Sequence, residues 1–75
     1  MKMPEEEFAR FVWEYMEVVI SELKSDWENA NEPSVYYNRA LRKIREMGYE
    51  LTKEQKKSLK TMIENWYFIA SPKPL

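Results

Sequence analysis

Two carboxylates, Glu14 and Glu17, stand one helical turn apart, and acid pairs at such spacing can act as general acid and base. The rest of the catalytic vocabulary is missing. The chain has no histidine and no cysteine, which removes Ser–His and Cys–His nucleophiles and Cys/His zinc sites. Its one glycine, Gly48, cannot make a glycine-rich phosphate loop. A di-metal carboxylate site needs inward-facing acids and usually Glu-x-x-His. Glu14 and Glu17 instead share a polar strip, where solvent leaves carboxylates ordinary. The expectation is a chain that is no enzyme and takes no cofactor, metal or small-molecule substrate.

A second group of side chains could meet phosphates. Arg39, Arg42, Lys43 and Arg45 lie in one segment and Lys53, Lys56, Lys57 and Lys60 in the next, with Gly48 between them. The order superficially resembles a helix-turn-helix. Lysines suit phosphate contact better than base reading. The pI near 5.5 also argues against a simple nucleic-acid binder, whose domain typically exceeds about 9. The overall charge of −1 hides an asymmetry. Residues 1–32 carry nine acids and three bases, a balance of −6, and residues 33–75 carry four acids and nine bases, a balance of +5.

The third group is aromatic: three Trp, five Tyr and three Phe in 75 residues. Large rings let a small core gain buried area. Trp and Tyr also dominate the hot spots of protein interfaces. Phe11, Trp13, Ile20, Trp27, Tyr36 and Phe68 are the expected intermolecular surface.

The elements that must position these groups are helices. Pro4 followed by Glu5, Glu6 and Glu7 starts a helix running from about 5 to 28, with acids at the positive end of its dipole. Phe8, Phe11, Val12, Trp13, Tyr15, Met16, Val18, Val19, Ile20, Leu23 and Trp27 spread over roughly 220° of its circumference, about twice what a surface helix needs. Asn31 or Ser34 is the expected cap of a second helix, about 33–47, with Tyr37, Ala40, Leu41, Ile44 and Met47 on one face. Gly48 ends it. Thr52 and Gln55 match a capping box that opens a third helix, about 53–70, with Leu59, Met62, Ile63, Trp66, Ile69 and Ala70 as its buried stripe. Residues 71–75 read as an extended tail. The fold class is all-α: a compact three-helix domain, with long helix 1 packed on a helix 2–helix 3 hairpin.

A core this small is marginal, and with no cysteine it lacks a disulfide staple. Self-association would cover the excess of apolar surface. The sequence therefore points to a small protein-interaction module, a regulator, inhibitor or adaptor acting as a homodimer or on a partner protein. A nucleic-acid-binding regulator and a subunit of a larger complex are the alternatives. No apolar run is long enough to cross a membrane and nothing resembles a signal peptide, so a cytoplasmic location is expected.

Overall fold

The computed structural model describes residues 1–70, so the tail expected at 71–75 lies outside the described residues. Three helices make the fold: α1 (Glu5–Ser25), α2 (Pro33–Glu46) and α3 (Lys53–Ala70), with a short 3-10 turn at Trp27–Asn29. No strand occurs among the described residues, only an isolated parallel bridge between Lys2 and Glu50. The chain runs up α1, down α2 and up α3, so α1 and α3 are parallel. Gln55, at the start of α3, reaches Met3 and Glu5 at the start of α1. One core unites all three helices, with Val19, Leu23, Tyr36, Ala40, Ile44, Leu59 and Ile63 almost fully enclosed.

Helix 1 is shorter than its apolar pattern suggests. Ser25 and Asp26 have short polar side chains that compete with helical bonding. Ser25 Oγ donates to the Glu22 carbonyl (3.2 Å), and Asn29 Nδ2 donates to Asp26 Oδ2 (2.8 Å) across the turn. The chain bends at Asp26, and Trp27 swings back over α3.

Helix 2 is capped at Glu32, not at Asn31 or Ser34, and the Glu32 side chain makes no cap bond. Pro33 follows in the first turn, where its missing N–H costs nothing. The buried residues of α2 are Tyr36, Ala40 and Ile44, with Tyr37 and Leu41 half-buried. Met47 caps the end of the helix and is exposed, so the expected face is rotated toward Tyr36 and stops short of Met47. Gly48 adopts φ +93°, a left-handed geometry that favours glycine. The Gly48 N–H bonds to the Arg45 carbonyl (2.9 Å) and the Tyr49 N–H to the Ile44 carbonyl (3.2 Å), the two bonds of a Schellman stop.

Helix 3 opens as expected. The Gln55 N–H donates to Thr52 Oγ1 (3.1 Å), and the Thr52 N–H donates to Gln55 Oε1 (3.0 Å). Gln55 does more than cap: it is buried, and its Nε2 donates to the Met3 carbonyl (3.0 Å). The Glu50 N–H adds a bond to the Met1 carbonyl (2.8 Å). These bonds hold the N-terminal residues down and bury Met3, which no local pattern announces.

The expected stripe of α3 holds at Leu59 and Ile63 and fails at Trp66 and Ile69, which are 40% and 64% exposed. The start of α2, Pro33 and Ser34, lies beside Lys60 and Glu64. The last turn of α3 therefore runs past α2 and lacks that neighbour.

Candidate functional site

An open groove of about 550 Å³ lies between α1 and α3. Phe8, Val12 and Met16 line it from the core side, Trp13 and Ile20 come from the flank of α1, and Met62 and Trp66 come from α3. Glu17 and Ser58 are its polar residues. A shallower hollow formed by Glu17, Ile20, Ser21, Lys24 and Ser25 continues it toward the end of α1. Another, formed by Lys57, Ser58, Thr61, Met62 and Asn65, borders it along α3. The groove exists because α1 and α3 run parallel and present large side chains toward the side facing away from α2.

The six residues expected at an interface separate in the structure. Trp13, 71% exposed, and Ile20, half-buried, come together in the groove. Phe68, 81% exposed, lines none of these hollows. Phe11 stacks on Tyr15 with ring centroids 5.5 Å apart and an interplanar angle of 11°. Trp27 packs on Tyr67 at 5.0 Å. Tyr36 is a correction, since it is 1% exposed and belongs to the core. Its hydroxyl accepts from the Asn31 N–H (3.3 Å), and its carbonyl accepts from the Tyr15 hydroxyl (2.9 Å). Burial raises the Tyr15 pKa above its ordinary 10.0, with nearby Arg39 opposing the shift.

Sequence reasoning assigned Trp66 and Met62 to the buried stripe of helix 3 and counted Met16 in the wide apolar arc of helix 1. The structure makes them groove residues as well. A helical wheel shows which face is apolar but not where a neighbouring helix stops, so Trp66 carries no signal of its exposure.

The basic residues do not gather on one surface. Arg39 sits over the Tyr36 ring, 5.8 Å from its centroid, on the side of α2 near Tyr15. Arg45 and Lys56 share a hollow between α2 and α3, and Lys60 lines another with Tyr37 and Asn38. Lys57 borders the α1–α3 groove. Arg42, Lys43 and Lys53 are exposed. Helices α2 and α3 lie side by side in opposite directions, whereas a DNA-reading helix-turn-helix crosses its helices at about 90–120°.

Glu14 and Glu17 are both exposed, and Glu17 shares the shallower hollow with Lys24. Among the described residues there is no cluster of three acids that could hold a metal ion. Among the described residues no helix is long and apolar enough to cross a membrane.

Fold and groove together define a class: a small all-helical three-helix domain with an open apolar groove along one side. Comparison with protein-family models, with curated proteins and with solved structures found no match to this chain.

Proposed function

We propose that this chain is a small non-enzymatic interaction module, a regulator, inhibitor or adaptor, that binds protein through the α1–α3 groove. One observation carries the reading: Trp13 leaves 71% of its surface in solvent at the mouth of a groove that also holds Ile20, Met62 and Trp66. Contiguous apolar surface of this kind marks interaction sites, and tryptophan is the residue type most enriched in their hot spots. The volume falls within the range of small-molecule pockets, but those converge several polar groups on the ligand. Here only Glu17 and Ser58 supply them. A long, open, apolar channel between two helices fits another helix better. A cytoplasmic location, suggested by the lack of cysteine, belongs to the same reading.

The nucleic-acid alternative has less support, because Arg45, Lys56 and Lys60 line hollows between α2 and α3 while Arg39 lies over the Tyr36 ring and Lys57 borders the α1–α3 groove. It predicts salt-sensitive retention on duplex DNA that Lys56→Glu with Lys57→Glu removes.

The groove reading is tested with a photo-activated side chain in place of Glu17, at the groove, or of Arg42, on α2. Cross-links to protein from position 17 and none from position 42 support it. Equal yields from both positions would sink it.

A further inference from the structure

We propose that the occupant of the groove is a second copy of this chain, with α1 antiparallel to the other copy's α1 across a two-fold axis near residue 15. This rests on the reading of the groove as a protein-binding surface and adds the partner and its orientation.

Glu6, Arg10, Trp13, Glu17, Ile20 and Lys24 follow one another at alternating steps of four and three, the spacing of a helix–helix seam. Five of the six are exposed and Ile20 is half-buried, so the seam lies outside the chain's own core. Trp13, Glu17 and Ile20 line the groove, and Lys24 lines its continuation.

Charge chooses the occupant and its direction. Along α1 the seam reads acid, base, apolar, acid, apolar, base. Laid antiparallel on itself about residue 15, it brings Glu6 opposite Lys24 of the second copy and Arg10 within one step of the second copy's Glu17. A two-fold interface repeats the Glu6–Lys24 pair, so two directly opposed complementary pairs form, with Arg10 facing Ile20 and Trp13 facing Glu17. A two-fold axis parallel to the helices would instead set Glu6 on Glu6, Arg10 on Arg10 and Glu17 on Glu17. Antiparallel helices also place opposite dipole ends together.

Area agrees. A 21-residue helix is about 31 Å long, and a face two helices wide offers roughly 600 Å² in projection. That is the scale of the roughly 800 Å² per partner that specific dimers bury.

The absence of native cysteine makes orientation measurable without background. Glu6→Cys and Lys24→Cys both alter exposed positions on α1. Light scattering should give twice the 9.2 kDa chain mass for the unmodified protein. Under oxidation, a disulfide-linked dimer should form when the two variants are mixed and not from either alone. Glu6→Lys should weaken association roughly three- to tenfold, and adding Lys24→Glu should restore it. Cross-linking of each variant to itself, without the mixed product, overturns the antiparallel arrangement. A chain that keeps its monomer mass up to about 1 mM overturns the second copy as occupant. The groove reading then survives only if the probe at position 17 cross-links to a different protein; if it cross-links to none, both ideas fail.

Discussion

Helix α1 carries large apolar side chains on both flanks, and the two flanks meet different fates. On the α2 side, Phe11 lies flat on Tyr15, the Tyr15 hydroxyl bonds to the Tyr36 carbonyl, and Arg39 covers the Tyr36 ring. That flank is used within the chain. Val18, 60% exposed, has the spacing of the same flank, and a single small apolar side chain at the surface is ordinary. On the α3 side, Trp13 and Ile20 border an open groove, and Trp66 opposite them is itself partly exposed. Similar residue types thus hold the fold together on one side and remain available to a partner on the other. Amino-acid type does not separate the two roles; the presence of a covering helix does.

The comparison breaks most easily at its buried end. Tyr36→Ala should cost about 3–5 kcal/mol, because it empties a fully enclosed site between α1 and α2. Denaturant unfolding measures the loss, and a cost under about 1 kcal/mol would contradict the placement of Tyr36 in the core. Next comes Gln55→Ala. It removes the buried bond to the Met3 carbonyl and half of the α3 capping box, for about 1–3 kcal/mol. Exchange of the Glu50 amide, which bonds to the Met1 carbonyl, should quicken in this variant.

The two flanks are compared most directly by Phe11→Ala and Trp13→Ala. Phe11→Ala should lower stability by about 1 kcal/mol through the lost ring stack and leave the solution mass unchanged. Trp13→Ala should stay within about 0.5 kcal/mol in intrinsic fold stability, measured on monomer at high dilution, while association weakens at least tenfold. The opposite pattern would reverse the assignment of the flanks.

The smallest effect is on pH dependence. Burial raises the Tyr15 pKa above 10.0, and the neighbouring Glu7 carboxylate raises that of Tyr49. The folded chain then keeps protons that the unfolded chain has released. The contribution of these two phenols is complete below pH 10 and is lost as pH rises through their folded values. Stability should therefore decline above about pH 10, and more gently in Tyr15→Phe. An identical alkaline decline in that variant would remove Tyr15 from the account.

Much of the fold was legible in local chemistry. Gly48 stops α2 because the left-handed turn favours a residue without Cβ, and Thr52 with Gln55 starts α3 because their side chains satisfy its free N–H groups. The buried stripe of α1 at Phe8, Val12, Tyr15, Val19 and Leu23 follows from helical periodicity alone. The site was only partly legible. Trp13 and Ile20 stood apart from that stripe and could be singled out, whereas Tyr36 and Trp66 were exchanged: one was expected at the surface and is buried, the other was expected inside and is partly exposed.

The sequence by itself determined the helical class, two of the helix boundaries at Gly48 and Thr52, and an apolar surface on α1 too wide for one neighbour. These are properties of short segments, set by backbone geometry, capping bonds and a period of 3.6 residues. Only the tertiary structure decided which part of that surface stays open. The bend at Asp26 fixes where Trp27 lands, the start of α2 at Pro33 leaves the end of α3 without that cover, and the Gln55–Met3 bond sets the ends of α1 and α3 together. Each is a relation between residues distant in the chain, and burial depends on such relations because one helix is covered only where another ends up beside it.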